Sequence, residues 1–212
     1  MATLTAKKVY DLNNMNAAAQ RAQLGTILMG GAVIPVVGTL STVNTLRYNT
    51  TPAVKSATAT HAALALTVGA QAGVTSGITQ PDVPRTITAK GNASGITGDV
   101  VIHGTNIADA VVTDTIALSG ASEVLGVVAF KTVTSIDFPA ETHSGTDTVS
   151  IGRGAGIGFP SIINNTADVI THDFDGATDS GTVVADATIG KSVFIVAGTM
   201  DGAKVVSLTY VV

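Results

Sequence analysis

From Arg47 onward, apolar and polar positions alternate with a period of two, interrupted by Gly, Asn, Asp, Ser and Pro. Successive side chains of a strand leave it on opposite faces, so this rhythm predicts half-buried β-strands. Leu64, Leu66 and Val68 alternate with small residues ahead of the turn residues Gly69 and Gly73. Strands are then predicted over residues 86–90, 99–103, 111–118, 127–138 and 146–151, and a second group over 169–174, 182–189, 192–197 and 204–211. Pro81 and Pro84 bracket a connector that cannot be a central strand. No βαβ rhythm is present, which disfavours a parallel-sheet enzyme fold.

The N-terminal region reads differently. Val9, Leu12, Met15, Ala19 and Ala22 recur at steps of three or four, which predicts a helix over residues 7–24 that Gly25 terminates. Its apolar stripe is thin, so the helix needs a surface, either its own β-domain or a partner subunit. Ile27-Leu28-Met29 and Val33-Ile34-Pro35-Val36-Val37 follow as an extended arm broken by Gly and Pro. The candidate interface residues are therefore Val9, Leu12, Met15, Leu24, Ile27, Leu28, Val33, Ile34, Val36 and Val37. Residues 24–46 carry no charge, but Gly25, Gly30, Gly31, Gly38 and Pro35 interrupt them, so no membrane span is expected. Lys7 and Lys8 precede the polar Tyr10-Asp11-Leu12-Asn13-Asn14, where a secretory signal would need an apolar run.

Composition sharpens the picture. Thr, Val and Ile fill 74 of the 212 positions, and such β-branched residues suit a pleated surface. Charged residues make up only 12% of the chain, with just two Glu, Glu123 and Glu141. A free soluble domain usually keeps about twice that share outside, so much of this surface is expected to be covered by neighbouring subunits. The net charge of −4 supplies no basic footprint for nucleic acid. The chain has no Cys, which excludes a disulfide scaffold, a thiolate metal site and a cysteine nucleophile.

Several clusters invite a chemical reading. Gly152-Arg153-Gly154-Ala155-Gly156-Ile157-Gly158 resembles a phosphate loop, yet the dinucleotide fingerprint needs Gly at its sixth position, where Ile157 or Phe159 stands. No Gly-Lys-Ser/Thr closes a Walker pattern, so a tight loop or bulge is expected. Asp173, Asp175 and Asp179 have acidic spacing, but Ala177 and Thr178 occupy the fifth and sixth positions of an EF-hand alignment. A turn whose Asp side chains bond their own backbone is expected. His61, His103, His143 and His172 form no paired-ligand motif. His103 alternates with Val101 and is expected to face solvent or an interface. No G-x-S-x-G elbow is present, and three Tyr, five Phe and no Trp offer little for sugar or base stacking. No catalytic, cofactor or metal residue is assigned.

Gln80-Pro81-Asp82-Val83-Pro84-Arg85 resembles the opening of a β-domain found in structural proteins of tailed bacteriophages. The likeness continues through Gly98-Asp99-Val100-Val101-Ile102-His103-Gly104-Thr105-Asn106 and Asp114-Thr115-Ile116-Ala117-Leu118-Ser119-Gly120. Ala129-Phe130-Lys131-Thr132-Val133-Thr134-Ser135-Ile136 and Asp147-Thr148-Val149-Ser150-Ile151-Gly152 complete it. Tyr10-Asp11-Leu12-Asn13-Asn14 and Leu24-Gly25-Thr26 also look like the start of such virion proteins. The resemblance covers about residues 80–160.

The expectation is an all-β chain, an antiparallel β-sandwich or barrel-like body with a short N-terminal helix and extended arm. Residues 1–46 form the helix and arm, 47–160 the β-domain, and 161–212 further strands of the same domain or a small second lobe. The resemblance implies a non-enzymatic virion protein that decorates and cements the capsid surface, made in the host cytoplasm, with the major capsid protein or other virion subunits as partners. It also implies a homo-oligomer, a trimer, without cofactor, nucleic acid or membrane. The alternatives are a tail-tube or tail-associated subunit, and further off a host-receptor or glycan-binding module.

Overall fold

The computed structural model describes residues 27–29, 32–34, 44–142 and 146–212. The chain divides into two units, Met1–Thr42 and Val43–Val212. In the first, β1 (Ile27–Met29) pairs antiparallel with β2 (Ala32–Ile34), with Met29 opposite Ala32. Four expected interface residues, Ile27, Leu28, Val33 and Ile34, lie in this antiparallel pair. The helix expected over 7–24, with Val9, Leu12, Met15 and Leu24, lies outside the described residues, as do Val36 and Val37.

The second unit begins with β3 (Thr45–Thr50), β4 (Ser56–Ala65), β5 (Gln71–Val74), β6 (Arg85–Gly91) and β7 (Asp99–Thr105). It continues with β8 (Val111–Ala117), β9 (Val124–Phe130), β10 (Thr132–Phe138) and β11 (Thr148–Gly158). After a single 3₁₀ turn at Thr166–Asp168 come β12 (Val169–Phe174), β13 (Ala177–Thr178), β14 (Thr182–Val184), β15 (Val193–Ile195) and β16 (Val206–Val211). The chain is all-β, with 54% strand and no α-helix among the described residues.

Three antiparallel sheets make up this unit. One runs β5-β10-β7-β8, a second β14-β15-β11-β6-β9 with β4 also on β11, and a third β13-β12-β16-β3. They include a curled half-barrel. β11 is the spine. Along one edge it holds β6, while the other edge takes β4 over Thr148 to Arg153 and then β15 over Gly156 to Gly158. Its residues accordingly serve two hydrophobic cores. Val149 and Ile151 pack with Ile102, Phe130 and Phe138, whereas Ile157 packs with Phe194, Leu208 and Tyr210.

One sequence expectation needs correction, and another resolves between its alternatives. The stretch 127–138 is not one strand, because Lys131 separates β9 from β10 and the two belong to different sheets. Val128, Ala129 and Phe130 are buried in succession at that corner, where the chain passes from one sheet to the other. Of the tight loop or bulge expected at the glycine cluster, the structure shows the second, a register irregularity within a strand. Gly152, Gly154, Gly156 and Gly158 lie inside β11, whose pairing with β6 shifts register between Arg153 and Ile157. A Cβ on Gly156 would approach Thr86 Cγ2 at 2.7 Å, and one on Gly158 would meet Ala129 Cβ at 2.7 Å. The glycines permit close packing by side chains of β6 and β9.

Candidate functional site

A hydroxyl, a histidine and a carboxylate come together on one face of the β5-β10-β7-β8 sheet. Strands β7, β8 and β10 bring His103, Thr113 and Asp137 side by side there. His103 Nε2 lies 3.0 Å from Asp137 Oδ2, and Thr113 Oγ1 lies 3.3 Å from His103 Nδ1. The Gly73 N–H also donates to Asp137 Oδ1 at 2.6 Å. That backbone bond, followed by the His103 contact, holds the Asp137 carboxyl below the usual carboxylate range. The side chains of His103 and Asp137 are about one-third exposed on this sheet face. A hydroxyl–His–carboxylate sequence needs oxyanion donors and a shielded reacting position. The described contacts supply neither, and the chief effect of this array is to tie β5, β7, β8 and β10 together.

The other candidate residues are engaged mostly by backbone groups and ring packing. His61 is buried with Nδ1 2.6 Å from the Ala62 carbonyl oxygen and Nε2 3.1 Å from that of Ser76, so both ring nitrogens face acceptors rather than a metal. His172 lies against Phe194 with ring centres 5.0 Å apart. His143 is outside the described residues. Asp175 and Gly176, both at positive φ (54° and 81°), form the two-residue turn that joins β12 to β13, the geometry of a type I′ hairpin. Asp179 Oδ1 accepts the Gly181 and Ala197 N–H groups at 2.7 and 2.8 Å, and Oδ2 accepts Gly198 N–H at 2.9 Å. Among the described residues no group of three or more His, Asp or Glu could hold a metal.

A buried ionic clamp joins the proline connector to the spine. Arg85 is fully buried and donates from Nε to the Gly154 carbonyl at 2.9 Å, from Nη1 to the Ala53 carbonyl at 3.0 Å and to Asp82 Oδ1 at 3.1 Å. Arg153 Nη1 reaches the same carboxylate at 3.3 Å. Burial alone would raise the Asp82 pKa, but the Ala53 N–H and the Arg85 guanidinium outweigh it and hold the carboxyl below its ordinary range. Desolvation lowers Arg85 below its ordinary value. The role of this cluster is to fasten chain segments, since its charges are directed at one another and at backbone carbonyls.

What remains is surface. Edge strand β8 and edge strand β9 meet at a seam where Thr113, Thr115 and Ala117 are exposed, with Asp99 opposite Ala117. Val111 is 84% exposed and Val127 59% exposed along this seam, and Val68 elsewhere is 90% exposed. β3 forms a third edge, with Leu46 and Arg47 exposed. Its first two residues, Thr45 and Leu46, fall within the stretch expected to be arm; the alternation of Leu46 and Tyr48 with polar residues was the signal for a strand there. Comparison of the chain with protein-family models, curated proteins and solved structures finds no match.

Proposed function

We propose that this chain is a non-enzymatic structural subunit of a virion, a capsid decoration or cement protein. The observation that carries this reading is the exposed seam of β8 and β9, with Val111 and Val127 standing in solvent on a chain of which only 12% is charged. Isolated exposed Val residues are ordinary; placed on two adjacent strand edges, they suit a contact surface. The resemblance of residues 80–160 to phage structural proteins supplies the class of particle. In this reading the N-terminal helix and arm reach a neighbouring capsid subunit, and many equal contacts make release cooperative.

Co-sedimentation tests this. The tagged full chain, mixed with phage head shells lacking decoration, is expected to pellet with them at saturable occupancy. Protein that ignores the shells and polymerises into rings or tubes would instead favour the tail-tube alternative.

A further inference from the structure

β3 is the outer strand of the β13-β12-β16-β3 sheet, and among the described residues no strand pairs with its far edge. Its pairing with β16 covers six consecutive residue pairs without a register shift. The Val212 N–H donates to the Asn44 carbonyl at 2.9 Å, one pair beyond Thr45 and Val211. Hydrogen-bonded pairs recur at every second residue of an antiparallel ladder. Leu46, Tyr48 and Thr50 therefore direct their backbone groups at β16, whereas Thr45, Arg47 and Asn49 direct theirs at the open edge.

Natural edges are blunted by bulges, prolines or charges. β3 has no bulge and no proline, and its one charge, Arg47, is drawn back over the sheet by the bond from Nε to Ser207 Oγ at 3.0 Å. Leu46 and Tyr48 pair with Tyr210 and Leu208, so they share the face of the second core, yet Leu46 remains 44% exposed at its margin. Among the described residues the edge therefore lacks both ladder partners and part of its apolar cover.

We propose that this edge pairs with the same edge of a second copy of this chain, antiparallel, across a two-fold axis that passes beside Tyr48. An axis perpendicular to the sheet keeps each face on its own side and sets one residue of β3 opposite itself. Only Arg47 or Tyr48 as that residue pairs most of the strand. Centring on Arg47 sets two guanidinium groups opposite each other, which is unfavourable. Centring on Tyr48 pairs Tyr48 with Tyr48, Arg47 with Asn49 and Leu46 with Thr50, so the outward groups of Arg47 and Asn49 bond reciprocally and the margins of the two cores merge. The contact makes the repeating unit a dimer in place of the trimer that the resemblance implies. It is independent of the capsid reading and forms in the free protein.

The absence of Cys permits a clean test. In this register two Tyr48 Cα atoms form a non-hydrogen-bonded pair about 4.5 Å apart, inside the disulfide range. Under mild oxidation the full-length Tyr48→Cys variant is expected to yield a covalent species of twice the 21.2 kDa chain mass, while Thr50→Cys, which faces Leu46 of the other copy, is not. Sedimentation equilibrium supplies the second measurement. Asn49→Pro removes an N–H that points away from β16, so the circular dichroism spectrum should be preserved while dimer affinity falls at least about tenfold. A monomer at all concentrations up to about 100 μM, equal crosslinking of both cysteine variants, or an unchanged dimer for Asn49→Pro overturns the proposal.

Discussion

Asp114 and Val127 belong to different sheets, yet the Asp114 carboxylate accepts the Val127 N–H at 2.8 Å and, through the same oxygen, the Val128 N–H at 3.1 Å. One inward-pointing side chain of β8 thereby occupies backbone donors on the edge of β9, and two strands without a shared ladder are held together. Asp114 is buried, and a Cβ on Gly126 would collide with its carboxylate.

Removing this carboxylate should be costly. Asp114→Ala leaves two N–H groups at the seam without their acceptor, and is expected to lower stability by about 3 kcal/mol in urea denaturation. Asp114→Asn keeps one carbonyl acceptor and should lose about half as much. Equal, near-zero effects for both would show that water replaces the carboxylate without cost.

The Arg85 clamp has an acid limit. Asp82 has a folded pKa below its unfolded value, so its contribution to stability is present above the unfolded value, about 3.9, and is lost as pH falls through the lower, folded value. The thermal midpoint is expected to decline below about pH 4, and Asp82→Asn should be less stable at neutral pH with a shallower acid decline. A variant whose acid slope matches that of the parent chain contradicts this assignment. Arg85→Ala leaves the Gly154 and Ala53 carbonyls without this donor, and a loss of about 3–5 kcal/mol is expected.

Glycines separate by position. A Cβ on Gly152 would lie 2.5 Å from Thr88 Oγ1 and 2.6 Å from the backbone Cα of Ala57, so Gly152→Ala should cost about 1–3 kcal/mol. Gly69 has open space around it and no positive φ, so Gly69→Ala should be neutral or stabilising by up to about 1 kcal/mol. Chemical denaturation of the pair checks this, and similar losses at both sites would contradict the spine packing.

The seam can be tested apart from the fold. Val111→Lys and Val127→Lys place charge on exposed positions, where stability should change by no more than about 0.5 kcal/mol. Together they are expected to reduce head-shell occupancy at least about tenfold in co-sedimentation. Unchanged occupancy would remove the seam from the contact surface.

Much of the architecture could be read from the chain because its strands alternate. The ranges 99–103, 111–118 and 169–174 anticipate β7, β8 and β12 closely, and Asp175-Gly176 sits at the turn that its composition requires. Period two cannot report a change of sheet, so it does not mark the corner at Lys131. Nor can it tell a glycine loop from a glycine-faced strand, because Gly152 and Gly154 are defined by what Thr86, Thr88 and Leu125 do on the neighbouring strands. The array of His103, Thr113 and Asp137 is assembled by the register of three strands, with Asp137 34 positions beyond His103. No local spacing encodes it. The edge of β3 was hidden for a similar reason, since its openness depends on its place beside β16.

Cryo-electron microscopy of particles carrying the tagged full chain tests the central claim most directly. The account predicts β-body density repeated at symmetric positions on a head shell, with the β8–β9 seam turned toward a neighbouring subunit. Shells devoid of the tag, or a seam facing bulk water in every copy, would contradict it.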